Sequence, residues 1–215
     1  MDYKSVSVQT ISRLPRYLNY LKGLPKGSIS NISATMIAEA LGLNDVQVRK
    51  DLSLVSDGGR PKIGYAIEEL ITDIEHFLGY DDTHSAVLVG VGNLGTALLS
   101  YGGFAEYGLD IVAAFDVNES LVGCKVNGKQ IFPLTKLIDL CKRMQIKIGI
   151  ITVPNYEAQK VCDMLVESGV QAIWNFAPAH LNAPPEVLIQ SENMACSLAL
   201  LSKHLSEKLK SPHQV

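Results

Sequence analysis

The sequence predicts an α/β protein of two parts, an N-terminal winged helix-turn-helix followed by a C-terminal Rossmann domain with a doubly wound parallel sheet. Three observations carry the prediction. Two short helical segments joined by a Gly-containing turn precede a glycine-rich basic stretch. A strand, a GxGxxG loop and a helix follow one another directly at 86–99. Strand and helix patterns then alternate as far as residue 175. With 215 residues, 47% of them apolar, the chain is long enough to bury two compact cores.

The first helical pattern is Leu14, Tyr17, Leu18, Leu21 and Leu24, stopped by Pro25-Lys26-Gly27. Ser33 caps a second helix, with Met36, Ile37, Ala40 and Leu41 as its apolar face and Gly42 as its exit. Asn44 caps a third, its spacing to Gln47 fitting a capping-box variant. There Val46, Leu52 and Val55 face inward and Gln47, Arg49, Lys50 and Ser53 outward. Such a pair of helices also occurs in plain bundles. The third is nevertheless sized for a major groove, and Gln47, Arg49 and Lys50 are suited to bases and phosphates. Asp57 to Tyr65 then reads as a hairpin wing in which Arg60 and Lys62 meet phosphate or a minor groove. An amphipathic helix from Ile67 to Leu78 closes this part. The polar stretch Gly79 to Ser85 marks the boundary, giving domains at 1–80 and 81–192.

Charge is distributed in the same sense. Residues 1–65 hold nine Lys/Arg against five Asp/Glu, a balance of +4, whereas the chain as a whole carries −3. A basic head on an acidic body suits double-stranded DNA as the partner of the head.

In the second part Ala86 to Val89 is a strand entering Gly90-Val91-Gly92-Asn93-Leu94-Gly95, and a helix follows at Thr96 to Leu99. The glycines allow a tight turn, close approach of a pyrophosphate and close packing of helix on strand, while the helix N-terminus favours the anion. A second strand, Ile111 to Phe115, ends at Asp116, 21 residues beyond Gly95, where a carboxylate accepts the ribose hydroxyls of NAD. Val117 and Asn118 follow rather than an arginine, which favours NADH and NAD+ over their 2′-phosphorylated forms. Helix 135–144, strand 146–153, helix 156–168 and strand 172–175 complete the alternation. Their strand ends place Thr152-Val153-Pro154 and Asn175-Phe176-Ala177-Pro178 where ligands of such sheets sit. The last helix, Met194 to Leu209, carries Leu198, Leu201, Leu205 and Leu209 and either folds back on its own core or packs on another subunit.

No apolar run reaches the ~18 residues of a membrane span and the first 20 residues lack a signal-type core, so a cytoplasmic protein without a membrane partner is expected. Cys124, Cys141, Cys162 and Cys196 form no CxxC pair and no cluster with histidine. Reduced, mostly buried thiols and no metal site are expected. A small oxidoreductase would need a general acid or base beside the nicotinamide. His76, His84, His180, His204 and His213 offer no such constellation, so no catalytic residue is assigned. A CoA-binding module is a further alternative, but Asp116 favours a free ribose diol and the winged helix would go unexplained.

Taken together, Gln47-Val48-Arg49-Lys50-Asp51-Leu52-Ser53, Gly90 through Ala97, Phe115-Asp116-Val117, Thr152-Val153-Pro154 and Asn175-Phe176-Ala177-Pro178 resemble the bacterial redox-sensing repressor family Rex over nearly the whole chain. The resemblance implies a homodimer whose C-terminal helix, within 193–215, is exchanged into the partner. It implies palindromic operators of fermentation and respiration genes, released when NADH binds and held when NAD+ does. It also implies a role for Tyr101 near the nicotinamide. This chain departs from the family at Leu54-Val55-Ser56, usually Tyr-Phe-Gly, and in its wing. Asn19 and Asn193 are neutral where the family tends to carry arginine and aspartate.

Overall fold

The computed structural model describes residues 6–25, 27 and 29–210. Lys26, His213 and the rest of the tail after residue 210 lie outside the described residues. The chain forms two compact units, Met1–Asp82 and Thr83–Val215.

The first unit opens with helix α1 (Val8–Lys22), whose Ser7 side chain accepts from the Thr10 N–H. Strand β1 (Asn31–Ile32), helices α2 (Ala34–Leu41) and α3 (Asp45–Val55), strand β2 (Tyr65–Ala66) and helix α4 (Ile67–Leu78) follow. Leu14, Tyr17, Leu18 and Leu21 of α1 bury against Ile37, Val48, Leu52, Leu70 and Ile74 in one core. Ser33 caps α2 and Asn44 caps α3, each through its side chain, and Gly42 closes α2 in the left-handed conformation at φ 64°.

Three expectations are corrected here. The inward stripe of α2 starts at Ala34 and recurs three and four residues on, so Ala34, Ile37 and Ala38 are buried, with Leu41 half-buried. Met36 and Ala40 therefore face out. On α3 the same periodicity buries Val48, Asp51 and Leu52, leaving Val46 half exposed. The wing is not a regular two-stranded hairpin. Arg60 and Gly64 exchange backbone hydrogen bonds of 2.9 Å across a single bridge, and β2 pairs instead with β1, Ile32 opposite Tyr65.

The second unit contains strand β3 (His84–Val89), helix α5 (Asn93–Ser100), strands β4 (Leu109–Asp116), β5 (Lys125–Val126) and β6 (Lys129–Pro133), and helix α6 (Leu137–Met144). Strand β7 (Ile148–Ile151), helix α7 (Asn155–Glu167), strands β8 (Ala172–Asn175) and β9 (Leu188–Ser191), and helix α8 (Met194–Lys210) complete it. The seven strands lie in the order β5-β6-β4-β3-β7-β8-β9, parallel throughout except for the β5–β6 pair. The doubly wound parallel sheet is present. Two clusters of buried side chains occupy its two faces, one around Val87, Val89 and Phe115 and one around Ala86, Leu88 and Ala114. This alternation explains why β3 reads as an unbroken apolar run, since a parallel strand is covered on both sides.

Every residue of α8 is exposed, Leu198, Leu201, Leu205 and Leu209 included, so α8 does not fold back on the chain's own core. Cys141 and Cys162 are buried, and burial pushes the Cys141 thiol up to about 11. Cys124 and Cys196 are exposed, which corrects the expectation of mostly buried thiols for half of the set. Among the described residues no helix is long and apolar enough to cross a membrane, and no His, Cys, Asp and Glu gather closely enough to hold a metal ion.

Candidate ligand cleft and nucleic-acid interface

The crossover from β3 runs through α5 to β4 on one side, and that from β7 through α7 to β8 on the other. The connections therefore diverge at the β3–β7 pair, and the crevice beyond their carboxyl ends is where ligands of open parallel sheets bind. A cleft of about 680 Å³ opens there. Its lining brings together Gly90, Gly92 and Leu94 of the loop after β3, Asp116 and Val117 after β4, Thr152, Val153 and Pro154 after β7, and Phe176 after β8.

The three glycines differ in what they permit. Gly90 has φ +100°, and a Cβ on it would lie 2.8 Å from Val153 Cγ1. A Cβ on Gly95 would overlap the Gly90 carbonyl oxygen, so that glycine sets the close packing of α5 against the strand end. A Cβ on Gly92 would meet nothing within 4 Å. Gly92 lines the cleft at the start of α5, so its missing side chain leaves space open to the cleft that none of the protein's own atoms fill. The N–H groups of a helix's first turn lack acceptors within the helix, which suits that space to a pyrophosphate.

Asp116 is fixed from two sides, accepting from the Val91 N–H at 2.6 Å and from the Asn118 N–H at 2.8 Å. Each carboxylate oxygen keeps a second lone-pair site for a ribose hydroxyl. Thr152 Oγ1 donates to the Gly90 carbonyl at 2.7 Å, tying the loop after β7 to the glycine loop.

The remaining candidates stand outside the cleft lining. Val91 is buried and contributes its backbone, while Asn93 is exposed on the first turn of α5. Asn175 is fully buried. Its amide nitrogen donates to the Ala177 and Ala179 carbonyls and to Ser191 Oγ, and its oxygen accepts from the Ala177 N–H, so it shapes the loop that carries Phe176. Ala177 is buried and Pro178 exposed in that loop. Tyr101 is half exposed and reaches the cleft only through ring contacts, Tyr101 on Phe104 at 4.9 Å, Phe104 on Trp174 at 5.7 Å and Trp174 on Phe176 at 4.7 Å. Asn193 accepts from the Cys196 N–H, a cap for α8, and Asn19 lies exposed on α1.

Sequence reasoning missed Val89, Leu134, Tyr156, Glu157, Lys160 and Val161 in the lining. The signal was present. Residues 157, 160 and 161 share one face of the helix that follows Thr152-Val153-Pro154.

In the first unit, Ser33, Arg49, Arg60 and Lys62 line one groove of about 440 Å³ together with Thr35 and Tyr65. The start of α2, the second turn of α3 and the wing thus meet at one surface that carries three cations, Arg49, Arg60 and Lys62. Arg49 also meets Asp45 at 3.3 Å, an exposed pair of the kind worth a few tenths of a kcal/mol, weak enough to yield to a phosphate. Lys50 and Ser53 are exposed on α3, Ser53 Oγ donating to the Lys50 carbonyl. Asn44 is exposed but accepts from the Gln47 N–H.

Behind this surface lies a device the sequence did not disclose. Asp51, almost wholly buried on α3, accepts from Arg13 Nε at 2.6 Å, Arg13 Nη2 at 2.9 Å, Tyr17 Oη at 2.8 Å, Gln47 Nε2 at 2.9 Å and Thr10 Oγ1 at 3.3 Å. Burial opposes its ionisation, but the hydrogen bonds from Arg13, Tyr17 and Gln47 outweigh that and hold its pKa below the usual carboxylate range. Tyr17, desolvated and donating to Asp51, is pushed up to about 12. The network pins α3 to α1 and holds the Gln47 side chain.

Known proteins match both units. Residues 5–53 match a family model described as putative DNA-binding protein N-terminus, and residues 81–179 one described as CoA binding domain. The chain is 38% identical over 206 residues to the redox-sensing transcriptional repressor Rex of Bacteroides thetaiotaomicron, covering 96% of this chain and 94% of that one. The crystal structure of RSP in complex with β-NAD+ and operator DNA superposes with a TM-score of 0.88 at 35% identity, covering 94% of each chain. RSP in complex with β-NADH gives 0.86 at 35% identity, covering 95% of this chain and 96% of that one. The identity spans both units and almost the full length of the relatives, and the chain belongs to the Rex family of redox-sensing transcriptional repressors.

Proposed function

We propose that this chain is a transcriptional repressor whose hold on operator DNA is governed by the NADH/NAD+ ratio, read in the cleft at the end of β3. The observation that carries the reading is the pairing within one chain of a glycine cradle facing a fixed ribose carboxylate and a basic groove at a helix-turn-helix. NADH and NAD+ supply the redox signal when bound. Gly90, Gly92 and Leu94 hold the pyrophosphate, Asp116 the ribose, and Thr152, Pro154 and Phe176 flank the nicotinamide half, with Val153 toward the base. The related RSP has been solved with β-NAD+ and operator DNA and with β-NADH, which supports the same pair of ligands here rather than CoA. The family is one of repressors and not of enzymes.

Residues 1–80 act as the operator-binding domain, 81–192 as the dinucleotide-binding domain, and the helix after 193 as the dimerisation element. Five exposed leucines along the 17 residues of α8 favour burial in a second copy, at about 1.5–3 kcal/mol for each side chain covered. A two-fold dimer reads a palindrome, one recognition helix per half-site. The protein acts in the cytoplasm, where operator and dinucleotide pool meet.

A mobility shift on a palindromic operator tests the reading. The complex forms with NAD+ present and is lost as NADH replaces it; equal binding at every ratio would contradict the proposal. Arg49→Ala and Lys50→Ala are each expected to weaken operator binding and to lower the slope of log affinity against log salt by about one unit, one phosphate contact apiece. Unchanged affinity and slope in both variants would remove α3 from the interface.

A further inference from the structure

Away from the glycine loop the cleft wall is mostly apolar, with Val117, Leu134, Val153 and Val161 contributing to it. Besides Asp116, the charged groups in the lining are Glu157 and Lys160, on consecutive turns of α7 and facing the same space. Their ion pair is loose, 4.0 Å from Glu157 Oε2 to Lys160 Nζ, with side chains 44% and 69% exposed. Such a pair contributes almost nothing to folding, so both ends are free to turn to another partner at little cost.

Resting on the proposed dinucleotide site, the ligand's path fixes what those ends meet. With the nicotinamide half at Phe176, the pyrophosphate at the glycine loop and the ribose at Asp116, the base lies beyond Asp116, among Val117, Leu134, Val153 and Val161. Those side chains cover its faces.

We propose that Glu157 and Lys160 read the edge of adenine, the carboxylate accepting from the exocyclic amine and the ammonium donating to the adjacent ring nitrogen N1. An acceptor and a donor side by side complement the donor and acceptor that adenine presents. Hypoxanthine reverses both, with a carbonyl at C6 and an N–H at N1, and so sets acceptor against acceptor and donor against donor.

The test is isothermal titration of the full chain with NADH and with its hypoxanthine counterpart, deamino-NADH. The wild type is expected to bind NADH about tenfold more tightly, the worth of one charge-assisted hydrogen bond. Glu157→Ala and Lys160→Met each bring the ratio toward one with melting temperature unchanged, a loss of selectivity that a merely structural role would not produce. Equal affinity of the wild type for both dinucleotides, or wild-type selectivity kept in both variants, overturns the proposal and leaves the dinucleotide site standing. Binding of neither ligand by the wild type overturns the site itself.

Discussion

Gly95→Ala is expected to cost the second unit about 3–5 kcal/mol, enough to unfold it or to lower its melting point by more than 10 °C. Its Cβ would overlap the Gly90 carbonyl oxygen, and backbone cannot yield as a side-chain end can. Gly92→Ala, three residues earlier, is expected to cost under about 1 kcal/mol, because its Cβ meets only open space. Thermal melts of the two variants check the contrast. Equal stability would mean that the loop after β3 does not pack α5 as closely as described.

Asp51→Ala is expected to destabilise the first unit by about 3 kcal/mol and to impair operator binding, although Asp51 itself is buried away from any DNA. Removing it leaves Tyr17 Oη without its acceptor and Arg13, whose side chain is 20% exposed, without its counter-ion. Gln47 also loses the carboxylate that orients it. The pH dependence has a definite sign. The native pKa of Asp51 lies below its unfolded value of ~3.9, so the contribution is fully present above that value and is lost as pH falls through the native pKa. Acid titration of wild type and Asp51→Ala should therefore begin to converge only as pH falls below about 4 and meet only below the native pKa of Asp51. Parallel curves would show that the network does not carry the stability assigned to it.

What could be read from the sequence follows from how periodicity works. α4 and β8 agree residue for residue with the patterns at Ile67–Leu78 and Ala172–Asn175, because each has strong apolar spacing and an abrupt end. β6 and β9 gave no such signal. Lys129-Gln-Ile-Phe-Pro133 and Leu188-Ile-Gln-Ser191 are short and lie toward the two margins of the sheet, where one or no residue of each strand is buried. Glycine spacing located the cleft, but the α7 contribution required knowing which helix face turns to the strand ends. The Asp51 network was illegible for another reason. Arg13 and Asp51 are 38 residues apart, and a carboxylate within a helix whose neighbours suit DNA reads as surface until the fold buries it.

The central claim, that occupancy of the cleft beyond β3 controls the hold on operator DNA, is tested most directly by fluorescence anisotropy of labelled operator during an NADH titration, with wild type and Gly92→Ala compared at fixed NAD+. The wild type should release the operator as NADH rises. The variant, folded and able to bind DNA, should retain it throughout, because a methyl group at Gly92 stands where the pyrophosphate approaches. Release of the operator by Gly92→Ala at the same NADH concentration as the wild type would contradict the account.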